Sequence, residues 1–130
     1  MIRSLLFGLL IAISSLMAQT LKAQTSDWRS HIEQLAEEEG VDEMSIENMF
    51  VELSMLEQNP LNLNSVTRTE LELIPLLSIN QANAIADFLE KNRPIYTVFE
   101  LRNVYMLDYN TVRLIIPFFY VGEIDRKSVV

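Results

Sequence analysis

An all-α fold is the class this sequence predicts. One hydrophobic pattern occurs twice at an offset of 30 residues. Helix-start signals stand at equivalent places in both copies, and the acidic stretch ahead of them carries its apolar residues at helical spacing. The copies are TRTELELIPLLSINQANAIADF from Thr67 and TVFELRNVYMLDYNTVRLIIPF from Thr97. Thr67, Glu70, Leu71, Ile74, Leu77, Asn80, Ala82, Ile85 and Phe88 recur as Thr97, Glu100, Leu101, Val104, Leu107, Asn110, Val112, Ile115 and Phe118. Two related units of about thirty residues explain this better than one irregular domain.

Residues 1–23 read as a secretory signal peptide. Arg3 gives the positive start, residues 5–17 form an apolar run broken only by Gly8, Ser14 and Ser15, and Ala18 or Ala23 offers the small residue for cleavage. The run is short for a bilayer span, which favours a cleaved signal over an anchor. With no cysteine in the chain, a lipoprotein anchor is out. Export is therefore expected, to the periplasm or in association with the outer membrane.

Residues 24–59 form an acidic helical region with ten carboxylates and one arginine, Arg29. Removing Arg3 and Lys22 with the signal takes the formal net charge from -8 to about -10, which repels nucleic acid at low salt. DWRSHIEQLAEEEG predicts a helix with Trp28, Ile32 and Leu35 on its apolar side, stopping at Gly40. SIENMFVELSMLEQN predicts a second, capped by Ser45, with Ile46, Met49, Phe50, Leu53 and Leu56 on one face. Trp28, Met49 and Phe50 read as core contacts rather than a ligand cage. These helices either pack on the repeat or present an apolar stripe to a partner.

Residues 60–122 hold the repeat, each unit reading as a short helix, a tight turn and a second helix. Thr67 before Glu70, and Thr97 before Glu100, are capping boxes, in which hydroxyl and carboxylate satisfy orphan amides at a helix start. Leu71 with Ile74, and Leu101 with Val104, give the apolar stripe of a helix only two turns long, which needs neighbours to be stable. Asn80 and Asn110 are expected to cap the second helices. Ala84, Ile85, Phe88 and Leu89 of one face Leu114, Ile115, Phe118 and Phe119 of the other, closing a four-helix bundle.

On these residues the chain resembles the tandem helix-hairpin-helix family, and in particular its ComEA-like modules. LNLNSVTRTELELIPLLSINQANAIADFLEKN resembles the opening half and YTVFELRNVYMLDYNTVRLIIPFFYV the closing half. The resemblance implies double-stranded DNA binding through hairpin amides that two glycines expose to phosphate. Here the hairpins read Leu76, Leu77, Ser78 and Met106, Leu107, Asp108. Leu77 and Leu107 keep the hydrophobic plug. Leu76 and Met106 replace glycine, whose missing Cβ permits close backbone approach, and Asp108 puts a negative charge where a phosphate would sit. The packing half of the motif survives and the phosphate-binding half is lost.

Charge points the same way. Residues 60–122 carry six carboxylates against five basic residues, Arg68, Lys91, Arg93, Arg102 and Arg113. Nucleic-acid binding draws on a clustered basic surface, so these five are the possible nucleic-acid contacts only if they converge. Consecutive Glu37, Glu38 and Glu39 point in different helical directions and do not converge on a cation. With a single histidine, His31, and no cysteine, a zinc site or a thiol nucleophile is not expected. His31 and Glu33 lack a third group for acid–base chemistry. Neither an enzyme, nor a cofactor, nor a metal, nor a small-molecule substrate is expected.

After Pro117, FFYVG reads as a short extended segment ended by Gly122. Residues 123–130 read as a tail or the start of a linker. The expected function is an exported scaffold or protein-interaction module of the envelope, resembling N-terminal parts of longer Bacteroidetes-type envelope proteins, with Leu76 and Met106 exposed at the hairpin tips as contacts. Two alternatives stand beside it: non-specific duplex DNA binding, as in DNA uptake, and the N-terminal module of a larger outer-membrane protein.

Overall fold

The computed structural model describes residues 27–38 and 40–123. The expected signal peptide, Glu39 of the acidic triple and residues 124–130 of the tail lie outside the described residues. The rest is mostly helical, as predicted: α1 (Asp27–Glu37), α2 (Glu43–Gln58), β1 (Leu61–Asn62), α3 (Arg68–Glu72), α4 (Ile79–Asn92), a 3-10 helix (Val98–Asn103), α5 (Tyr109–Ile115), a 3-10 turn (Ile116–Phe118) and β2 (Phe119–Tyr120).

Local chemistry sets the ends of these elements. The chain leaves α1 through Gly40, whose φ of 92° is the left-handed conformation that glycine adopts without a Cβ penalty. Asp42, not Ser45, caps α2. Its carboxylate accepts from both the amide and the hydroxyl of Ser45 at 3.2 Å, which places Ser45 in the first turn. Both predicted capping boxes form, with Glu70 accepting from Thr67 N–H at 2.9 Å and Glu100 from Thr97 N–H at 3.0 Å.

The second helices start earlier than expected. Ser78 and Asp108, the third residues of the two turns, are the caps, accepting from the amides of Gln81 at 3.1 Å and Thr111 at 2.7 Å. Asn80 and Asn110 are exposed first-turn residues instead. Ser78 is held as the cap by reciprocal bonds: its hydroxyl accepts from the Gln81 amide, and the Gln81 side-chain oxygen accepts from the Ser78 amide at 3.0 Å, completing a capping box.

The first helix of the second unit is 3-10 rather than α. Its Thr97 hydroxyl accepts from the Phe99 amide at 3.2 Å, two residues on, and beyond its end the Val104 amide donates to Leu101 O at 3.1 Å. α5 ends at Ile115, because Pro117 lacks an amide to continue the ladder. Phe118 and Phe119 reach the core from the 3-10 turn and from β2, not from a helix face.

One core joins both units to the acidic region. Leu71, Ile74, Ala82 and Ile85 are buried, as are their repeat equivalents Leu101, Val104, Val112 and Ile115. Trp28 and Ile32 of α1 and Leu53 of α2 enter the same cluster. The acidic helices therefore pack on the repeat with their predicted faces, except that Phe50, expected as a core contact, is exposed. Phe50 lies at the edge of this packing, its ring 5.4 Å from Trp28.

A polar clasp closes the ends. β1 pairs in parallel with β2, Leu61 opposite Phe119 and Asn62 opposite Tyr120. The Asn64 side chain accepts from Ile95 N–H at 2.7 Å and donates to Ile95 O at 3.0 Å and Gly122 O at 3.3 Å. Asn62 Oδ1 accepts from the amides of Asn64 and Gly122, both at 3.0 Å. A Cβ at position 122 would run into the Asn62 side chain and displace it from this hydrogen-bonded position. Of the FFYVG segment, Phe118 belongs to the 3-10 turn and the extended stretch begins at Phe119, one residue later than expected, while its pairing with residues 61–62 was not foreseen.

Candidate functional site

The two turns that the sequence singles out do not present equivalent surfaces. Leu77 is buried and Leu107 half-buried, so the plug role holds more fully in the first unit. Leu76 is not a free tip: it is half-buried against the core and lines a cleft of about 460 Å³ with Ser30, His31 and Gln34 of α1. Asp108, Thr111 and Arg113 line the other side of this cleft. Met106 is 50% exposed and faces a different cleft, against Asn83, Asp87 and Lys91 of α4. The two tips therefore do not join into one apolar patch: Leu76 lines the cleft beside α1, which Asp108 of the second turn also lines, whereas Met106 lines the cleft beside α4.

Met106 sits at φ 76°, a conformation that costs a side chain and suits glycine. Met106→Gly is expected to raise the melting temperature modestly. It relieves roughly 1–2 kcal/mol of left-handed strain against the roughly 0.5–1 kcal/mol that glycine's extra backbone freedom costs. A thermal melt shifted downward would instead assign the Met106 side chain a packing role.

Asp108 occupies the turn as an anion. Hydrogen bonds from Thr111, side chain first and then backbone, hold its carboxyl below the ordinary value of 3.8. It is the one carboxylate lining the cleft that contains His31, and its Oδ1 is taken up by the Thr111 amide at 2.7 Å. Among the described residues, no group of three or more His, Cys, Asp and Glu converges on a metal-sized site.

Two of the five candidate nucleic-acid contacts serve the fold. Arg68 donates from Nη1 to Asn83 Oδ1 and from Nη2 to Asp87 Oδ1, each at 2.7 Å, tying α3 to α4. Arg93 donates from Nε to Leu63 O at 3.1 Å and from Nη2 to Val66 O at 2.6 Å, holding the segment that leads into α3. Arg113 lies 5.8 Å from the Tyr109 ring and lines the α1 cleft, whereas Lys91 lines the Met106 cleft. Arg102 stands in the last turn of the 3-10 helix. The structure thus brings Arg68 and Lys91 near one α4 face and places Arg113 on another cleft.

A surface the sequence reasoning missed lies between α2 and α3. Met55 and Leu56 of α2, Leu61 of β1, and Leu73 and Ile74 at the end of α3 line a groove of about 430 Å³. Glu52, Asn59 and Glu70 supply its polar edge. Met55 is 62% and Leu73 71% exposed, which is costly for adjoining large apolar side chains in water. The available signal was Leu73 standing off the Leu71–Ile74 stripe, where a surface helix normally carries a polar residue.

Among the described residues no helix is long and apolar enough to cross a membrane. Comparison with protein-family models, curated proteins and solved structures gives no match to this chain.

Proposed function

We infer that the chain is a non-enzymatic, exported protein-interaction module of the cell envelope, built on tandem helix-hairpin-helix units whose phosphate-binding role has lapsed. The observation that carries this reading is the apolar groove between α2 and α3, where Met55 and Leu73 stand exposed beside Glu52 and Glu70. Burying such side chains against a partner gains about 25 cal/mol for each Å² removed from water. Arg68 and Arg93 add support, since each makes two hydrogen bonds within the fold. At the second turn, the anionic Asp108 opposes phosphate.

The competing activity, duplex DNA binding, is tested by fluorescence anisotropy with a short labelled duplex at low and near-physiological salt. No saturable binding is expected at either. Saturable binding that weakens steeply with salt, and is lost in Arg113→Glu, would overturn the scaffold reading. The positive arm is site-specific photo-crosslinking in cells that make the protein, with the reactive residue at 55 or 73. A discrete adduct is expected from these positions; monomer alone, from these and from every other exposed position tried, would sink the reading.

A further inference from the structure

The groove is one end of a longer apolar track. On α2, Met44, Val51 and Met55 are spaced i, i+7, i+11, which places them on one side of the helix, opposite the packed residues Ile46, Met49, Leu53 and Leu56. All three are exposed, Met44 at 69%, Val51 at 55% and Met55 at 62%. Met55 belongs both to this stripe and to the groove that Leu73 closes. A helix that is apolar on two opposite faces has a second face left over after folding.

We propose that this track docks a basic amphipathic helix of a partner protein, its apolar face against Met44, Val51, Met55 and Leu73 and its Lys or Arg residues beside Glu47, Glu52 and Glu70. The proposal rests on the interaction-module reading above. Charge decides the occupant. The four charged residues of α2 are Glu43, Glu47, Glu52 and Glu57, with no lysine or arginine among them, and the remaining charge on the groove is Glu70. Glu57 is engaged by Arg29 at 3.2 Å, while Glu47 and Glu52 flank the apolar stripe with exposed carboxylates. A second copy of this chain would set glutamate against glutamate, whereas cations on the rim gain attraction and steer encounter. The stripe from Met44 to Met55 runs about 16 Å at roughly 1.5 Å per residue, so the matching partner helix has at least three turns. Such helix-in-groove docking uses anchors at i, i+3, i+4 and i+7.

The probe is a fluorescein-labelled synthetic helix of leucine and lysine with leucines at that spacing, titrated into the purified protein and followed by anisotropy. Its comparators are a scrambled peptide of the same composition and a twin with glutamate in place of lysine. The expected result is saturable binding of the patterned peptide, weakened about tenfold, a loss of one decade in Kd, by Leu73→Ser or Val51→Ser. Tyr105→Ser, which alters a still more exposed side chain on the α4 cleft, away from the track, leaves it unchanged. Circular dichroism confirms that each variant retains its helix content. Equal binding of the scrambled peptide, equal sensitivity to Tyr105→Ser, or no binding of the patterned peptide would overturn the proposal. Failure here alongside a discrete envelope adduct at another face would remove the track and leave the interaction reading standing; DNA binding would remove that reading irrespective of the peptide result.

Discussion

Trp28→Ala is expected to destabilise the whole fold by about 3–5 kcal/mol, the usual cost of truncating a buried aromatic, and to lower the melting temperature by roughly 15–30 °C. Trp28 is 2% exposed and sits where three elements meet. Its ring lies 5.4 Å from Phe50 on α2 and 5.9 Å from Phe118 on the 3-10 turn, in tilted arrangements that favour aromatic pairs. Its Nε1–H donates to Glu57, which also accepts from Arg29 at 3.2 Å, while the Arg29 guanidinium lies 4.3 Å above the indole.

Removing the indole empties the contact between the acidic region and the repeat and strips Glu57 of a donor. Against a total stability of about 5–15 kcal/mol, that leaves a marginal protein. Trp28→Phe keeps the ring packing and loses only the hydrogen bond and some volume, so its expected loss is less than half as large. The measurement is thermal unfolding followed at 222 nm. A variant whose residual helices melt at the original temperature would show that α1 and α2 are an appendage and that the repeat is stable alone.

The contrast between local and distant signals explains what the sequence revealed. Both threonine–glutamate boxes were legible because each joins residues three apart, and the repeat was legible because one pattern recurs at a fixed offset of 30 residues. The buried stripes at Leu71, Ile74, Leu101 and Val104 followed from the same periodicity. The choice between Ser78 and Asn80 as cap turned on residue types of nearly equal cap preference, and the Gln81 that completes the Ser78 box was the overlooked clue. The expected exposure of Leu76 failed because it depends on where α1 lies, which no local pattern fixes. Arg93 read as a surface cation, yet its partners are carbonyls 30 and 27 residues away. The groove was hidden because Met55 and Leu73 sit off the stripes that the helices bury, and only the relative placement of α2 and α3 brings them together.

Another unread long-range contact carries the second large effect. Asn64→Ala is expected to cost about 2–4 kcal/mol, because it strands one amide and two carbonyls at about 1–3 kcal/mol for a buried unsatisfied group. Asn64 Oδ1 takes the Ile95 amide at 2.7 Å, and Nδ2 bridges Ile95 O and Gly122 O, so one side chain joins segments 31 and 58 residues away. Asn64→Asp, nearly the same shape, is expected to be at least as damaging as alanine. Aspartate retains the acceptor for Ile95 N–H but turns a second oxygen toward two carbonyl oxygens, replacing donation with repulsion. Urea unfolding checks this through a lower midpoint at unchanged slope, and amide exchange at Ile95 and Leu63 should accelerate together because both belong to the clasp. An aspartate variant as stable as the parent would mean that the clasp is held by β1–β2 pairing and Asn62, with Asn64 merely filling the space between them.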